Sequence, residues 1–405
     1  MSPKFLVSQM KNLVLGLLLL CSLQVSAQWR TKYSTGGSNG GKQKLSIGGF
    51  LKSSNYFRYT DWSEDRVAEN ILHANLKFNW QLNKPSSVYL SVHNRYFFGE
   101  TIENEESEYA NSLAQSNNFV DMNWVFVEDD KSLLHTAVDR FYYQYKGKKM
   151  LVRAGKQRID WSQTIVWNPN DFFNTFSFLN FDYETRSGID ALYGVFNLDR
   201  RGNSSLHIGY APQTLITESI IAARYRQIVK NSEWQLMVGQ LHEDYAVGFG
   251  WTTYINKTGF SGELSYFKDM NNVSENDVFM GTIASFYEFR SKLIVHYEFN
   301  YNSNPQNTIE NFYSIFFEPL TTKYITFNKY SLATLAQYPL NKFWSIGATG
   351  IAYLDDERYY LGAYTKVNLP SKWSFLLSTQ LMNNEDSGLF SSGKKYLFTR
   401  IMWSF

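Results

Sequence analysis

Apolar and polar residues alternate with a period of two along most of this chain, and the alternation restarts after each short polar break. In 71–82 one face is Leu72, Ala74, Leu76, Phe78, Trp80 and Leu82, and the other is His73, Asn75, Lys77, Asn79 and Gln81. Tyr245, Val247, Phe249, Trp251 and Ile255 stand against Ala246, Gly248, Gly250 and Thr252 in the same way. So do Leu293, Val295, Tyr297, Phe299 and Tyr301 against Ile294, His296, Glu298 and Asn300. Side chains of a strand point alternately to its two faces, so these runs predict strands with one greasy and one polar side. Each is about as long as a strand needs to be to cross a bilayer at a tilt of ~45°.

Eighteen such runs are predicted: 44–58, 69–82, 86–99, 134–146, 149–158, 187–199, 204–211, 219–230, 232–241, 244–256, 258–268, 278–290, 292–302, 325–338, 342–354, 358–369, 372–383 and 394–405. The runs at 134–146 and 187–199 alternate poorly, which leaves sixteen open. The expected fold is all-β: a transmembrane, antiparallel, up-and-down barrel with short periplasmic turns and longer extracellular loops. The connections agree. Short basic links such as 83–86, 146–149, 230–232, 256–259 and 290–292 interleave with longer ones near 100–133, 159–186, 269–277, 303–324 and 383–393. Acidic residues gather in the other set, at Glu64–Asp65, 103–108, Asp129–Asp130, 355–357 and Glu385–Asp386.

Composition narrows the picture. Aromatic residues make up 17% of the chain, with 28 Tyr, 31 Phe and 11 Trp. No stretch after the N-terminal leader has the ~18 consecutive apolar residues of a membrane-spanning helix. The formal charge of +2 gives no reason to expect nucleic acid as a partner.

The leader itself has Lys4 and Lys11 before an apolar core of Leu13–Leu20, then Val25-Ser26-Ala27, the layout of a cleaved secretory signal peptide. The expected organisation is a signal peptide at 1–27, a short periplasmic segment at 28–43, and a barrel at 44–405 in the outer membrane. So short a segment before the barrel makes an internal plug domain unexpected. Leu20 stands where lipoprotein processing wants a small residue, so lipidation of Cys21 is not expected. Cleavage after Ala27 removes this single cysteine, leaving no disulfide or thiolate chemistry.

The last run sets Leu397, Thr399, Ile401, Trp403 and Phe405 against Phe398, Arg400, Met402 and Ser404. An arginine facing lipid at mid-membrane costs about 2–4 kcal/mol, so Arg400 is placed inward. A strand ending in an aromatic residue resembles the C-terminal signature that barrel-assembly machinery reads. Val152-Arg153-Ala154-Gly155-Lys156-Gln157-Arg158-Ile159-Asp160-Trp161, followed by Trp167-Asn168-Pro169-Asn170-Asp171-Phe172-Phe173-Asn174, resembles the strand-and-loop unit of porin-like barrels of Gram-negative bacteria. The resemblance covers roughly 135–200 and implies a diffusion channel with no assigned solute. Ser162 departs from it, standing where a glycine is expected. Asn-Pro-Asn-Asp initiates a turn, and Trp161, Trp167, Phe172 and Phe173 are too apolar to sit in water. With Asn168 and Asp171 they are the candidates for a loop that folds back to constrict the lumen. A loop packed over the rim, or against a neighbouring subunit, is the alternative.

Parity then gives the pore-lining candidates: Lys77, Arg95, Arg153, Gln157, Arg224, Arg226, Lys329, Lys366 and Arg400, with acidic Glu263, Glu288 and Glu298. Such a basic-leaning lumen favours passive diffusion of small polar or anionic solutes. The alternative is that these charges pair inside a filled barrel that acts as an assembly partner or surface adhesin. A barrel lipid hydrolase ranks below both, and no catalytic residue is assigned. The histidines lie on separate strands without local metal-ligand spacing, so no metal or cofactor is expected. In-strand glycines, including Gly155 and Gly248, are read as relief of barrel curvature. The expected partners are outer-membrane lipid, lipopolysaccharide, small solutes and the barrel-assembly machinery, with oligomerisation open.

Overall fold

The computed structural model describes residues 44–59, 66–100, 102, 113, 118–129, 131–178, 188–213, 218–271, 273, 276–305, 321–326, 328–355, 358–383 and 395–405. The predicted signal peptide, the segment 28–43 and most of the predicted acidic loops lie outside these residues.

Among the described residues nineteen strands follow in chain order: β1 (Lys44–Tyr59), β2 (Arg66–Gln81), β3 (Ser86–Gly99), β4 (Asn123–Asp129), β5 (Ser132–Lys146), β6 (Met150–Gln157), β7 (Ile189–Asn197), β8 (Ser204–Ala211), β9 (Ile220–Val229) and β10 (Ser232–Leu241), then β11 (Asp244–Ile255), β12 (Thr258–Asp269), β13 (Val278–Glu288), β14 (Ile294–Asn302), β15 (Tyr330–Pro339), β16 (Trp344–Tyr353), β17 (Tyr359–Asn368), β18 (Trp373–Asn383) and β19 (Lys395–Ser404). Eighteen of them form a closed antiparallel wall, each paired with its neighbours and β19 with β1. The extra strand, β4, pairs with β5 while β3 passes directly to β5. The eighteen wall strands are those the alternation predicts, and β4 is new, lying inside what the sequence presents as one long link.

Closure removes the exposed edge that an open sheet leaves. It is completed by Phe405, whose backbone N–H donates to Gly49 O at 3.0 Å. This end of the barrel carries the short turns, some so tight that Lys230, Asn256, Lys292 and Lys372 take positive φ. The outward residues are apolar and exposed, among them Leu72, Leu192, Leu236, Val247, Ile283, Tyr297, Leu361 and Leu377. An apolar band around a sheet that bonds its own amides is what a hydrocarbon slab requires. Among the described residues no helix is long and apolar enough to cross a membrane, which says nothing against crossing by strands.

The poor alternation of 134–146 has a local cause. Ser91 pairs with Arg140 and Val92 with Val138, so Asp139 is an extra residue in β5. This bulge inverts the side-chain parity, as an inserted residue must. Leu133, His135 and Ala137 are buried on the inner side, whereas beyond the bulge Phe141, Tyr143 and Tyr145 are exposed. Beside it, Gly155 of β6 has φ 116°, and a Cβ there would stand 2.3 Å from the Phe141 carbonyl oxygen. Only glycine fits that approach.

Candidate functional site

The core of this barrel is inside its lumen, and one connection supplies much of it. After β6 the chain turns inward. Ile159, Trp161, Phe172 and Phe173 pack in one buried cluster with inward residues of β7 to β13, among them Ala191, Tyr193, Ala222, Met237, Ala246, Phe267 and Met280. Val166 and Trp167 join a second cluster with Ala333, Ile351, Tyr353, Tyr360, Met382 and Tyr396 of β15 to β19. The connection therefore reaches both sides of the barrel. Fully burying an apolar side chain contributes about 1.5–3 kcal/mol, so these residues strongly oppose release of the loop into water.

The inner wall is shaped to receive the loop. A Cβ on Gly209 would lie 2.5 Å from the Phe173 ring, and one on Gly250 would meet Gln163, Gln235 and Asn170 at 2.6–2.8 Å. Gly248 likewise faces Asn170 and Phe172. The reading of Gly248 as relief of curvature is thus corrected: its missing side chain makes room for the loop.

Polar bonds then fix the path. Gln235 Nε2 donates to Trp161 O at 2.7 Å, Asn170 Nδ2 to Phe249 O at 3.0 Å, and Ser265 Oγ to Pro169 O at 2.8 Å. The turn closes on itself through Thr164 Oγ1 to Trp167 O at 2.7 Å and Asn168 Nδ2 to Thr164 O at 2.6 Å. Glu263 accepts from the backbone N–H groups of Gln163, Thr164 (2.9 Å) and Asn170 (2.9 Å). Glu298 accepts from those of Ile165 (3.0 Å), Val166 (3.0 Å) and Trp167 (2.6 Å), and contacts His296 Nε2 at 3.0 Å. Both carboxylates are fully buried. Parity finds them on the inner face, but their acceptors are occupied by the loop.

A second connection also enters. Lys323 Nζ lies 2.9 Å from Asp244, Asn302 Nδ2 bonds Lys323 O and Thr326 Oγ1, and Thr322 Oγ1 donates to Asp171 O at 3.1 Å, tying this segment to the first loop. It explains why β15 begins at Tyr330 and not near 325.

The other predicted lining residues divide. Arg224 is buried under the loop, bonding Gln235 Oε1 at 3.1 Å with its guanidinium 5.2 Å from the Trp161 ring. Arg226 pairs with Glu233 at 2.5 Å, and Gln157 donates to Ala191 O at 2.9 Å. On the side away from the loop, Lys77 lies over the Phe50 ring at 5.7 Å. Arg153 bonds Gln144 at 2.8 Å and lies over Tyr142 at 5.3 Å. Arg95, Lys366 and Arg400 share the inward parity of buried His93, Tyr360 and Phe398 on their strands. Glu288 ends β13 at the short-turn end. Lys329 departs from its predicted place: it precedes β15, is exposed, and lies over the rings of Tyr301 and Tyr330 at 6.0 and 5.7 Å. The inward turn of 321–326 removes the strand geometry on which its parity rests.

Sequence spacing also misses a histidine group. His73 Nε2 lies 2.7 Å from His93 Nδ1, Phe50 stands edge-on to both rings, and His93 Nε2 is 3.7 Å from Asp139. These residues sit on four successive wall strands, β1, β2, β3 and β5, so pairing between strands, not spacing along one, brings them together. Among the described residues no group of three His, Cys, Asp or Glu side chains is arranged to hold a metal ion.

No protein-family model matches the chain, and no curated protein does. Solved structures do. Pseudomonas aeruginosa OprD is similar at 9% identity and a TM-score of 0.57, over 89% of this chain and 95% of that one. Acinetobacter baumannii OccAB4 gives 12% and 0.55, over 91% and 100%. Pseudomonas aeruginosa OccK11 (OpdR) gives 8% and 0.54, over 89% and 96%. At such identities the likeness is one of architecture, and it runs almost the full length of each chain: the fold of this protein is that of the OprD/Occ outer-membrane porins.

Proposed function

We propose that this chain is an outer-membrane porin through which small polar and anionic solutes diffuse passively. The observation that carries the reading is the arrangement of charge around the loop. The acids Glu263 and Glu298 are occupied by loop amides, while the part-exposed Lys77, Arg95 and Arg153 share the inner face of β2, β3 and β6. Cations lining one side of a narrow aqueous path attract anions by their summed field. Selectivity then comes from width and charge, and passage requires no cofactor. Lipid and lipopolysaccharide surround the apolar belt, and the β19 strand is the contact for assembly machinery.

A second reading, a closed barrel serving as scaffold or adhesin, is favoured by the loop's contacts with both sides of the lumen. Single-channel recording and liposome swelling with purified protein separate the two. The porin reading expects steady current and swelling by small sugars or amino acids. A sealed bilayer at all voltages supports the scaffold.

A further inference from the structure

We propose that Glu263 and Glu298 are positioning residues of the channel, a two-point latch that holds residues 163–170 across the lumen and thereby sets its width. The conductance arm of this proposal rests on the porin reading; the structural arm does not.

The two acids sit near the middle of β12 and β14. One strand separates them, so at about 4.8 Å per strand they stand some 10 Å apart on the wall. Between them they take six loop amides, those of Gln163, Thr164, Ile165, Val166, Trp167 and Asn170. Both oxygens of each carboxylate are used. A buried carboxylate without partners is costly, and so is a buried amide without an acceptor. Each therefore needs the other, and the need is met only with the loop in this one place. Hydrogen bonds to a charged acceptor are also stronger than the neutral ones made by Gln235, Ser265 and Asn170. The aromatic residues hold the loop inside the barrel, but greasy contacts tolerate sliding. The carboxylates fix its height and register.

The test uses the full chain with Glu263→Gln and Glu298→Gln together. Glutamine keeps the size, but its NH2 group confronts loop N–H donors. Hydrogen exchange of the peptide spanning 161–172 is expected to lose protection by roughly tenfold or more, while the amides of β12 and β14 keep theirs. Single-channel conductance rises, and transitions between levels become frequent. Adding Asn170→Cys and Ser265→Cys, whose side chains meet at 2.8 Å, restores the wild-type conductance on oxidation and releases it on reduction. Unchanged protection of 161–172 in the double variant overturns the proposal. So does loss of protection in β12 and β14 as well, because the acids then support the wall and not the loop. If the wild type passes no current yet its loop amides behave as expected, the porin reading fails and the latch stands. If the wild type conducts while 161–172 exchanges freely, the latch fails and the porin reading stands.

Discussion

The wall from β8 to β14 and the wall from β19 through β6 are made by the same alternation, yet their inner faces differ in kind. The first presents small residues and hydrogen-bonding groups: Gly209, Ala222, Ala246, Gly248 and Gly250 beside the donors Gln235 and Ser265 and the acceptors Glu263 and Glu298. The second presents long cations, stacked Tyr89 and Tyr142, and the histidine pair. Small side chains leave a hollow that a loop can fill, and buried polar groups demand partners to fill it. Long charged side chains reach into the lumen and need water. Near the outer end of β3 and β5 even this second wall is partly capped, by Ile102 and Leu113 on Phe97 and Leu133. The size and charge of the inward residues thus separate a sector that seats the loop from one that carries cations.

The contrast can be broken most severely by replacing 161–175 with a short Gly/Ser linker. Conductance should rise severalfold and selectivity weaken, with the barrel still folded because wall pairing does not use these residues. Unchanged conductance places the path somewhere the loop does not bound. Next in size is charge reversal. Lys77→Glu with Arg153→Glu should move the reversal potential toward cation preference, whereas Arg224→Gln, under the loop, should alter gating more than selectivity. Equal shifts from both erase the distinction between the sectors. A third test concerns the outer face of the barrel, at β18. Leu377→Lys puts a charge into lipid and should cost about 2–4 kcal/mol in denaturant titration from vesicles, while Ser378→Lys, one residue on and facing inward, should cost far less. The smallest effect is screening: the ion preference should weaken between 0.1 and 1 M salt, as the Debye length falls from about 10 to 3 Å.

Much of this architecture is legible without coordinates because the wall obeys a period of two. Eighteen wall strands, the inward turn of Arg400 and the apolar belt all follow from it. What escapes is whatever breaks the period or depends on distant pairing. The Asp139 bulge shifts parity within β5, β4 hides inside a long link, and the inward segment at 321–326 displaces Lys329. The aromatic content of 161–173 announces a loop that must pack. Its seat does not announce itself, because a glycine reads alike whether it relieves curvature or makes space. Glu263 and Glu298 show the same limit: their parity gives the inner face, but nothing nearby in sequence reveals that loop amides 99 and 132 residues away occupy them.

The most direct test is the reversal potential of the wild-type protein in a planar bilayer under an asymmetric potassium chloride gradient at low salt. A path bounded by the loop and lined on its far side by Lys77, Arg95 and Arg153 predicts a potential of the sign that marks chloride as the favoured ion. A potential of the opposite sign, or none in a conducting channel, contradicts it.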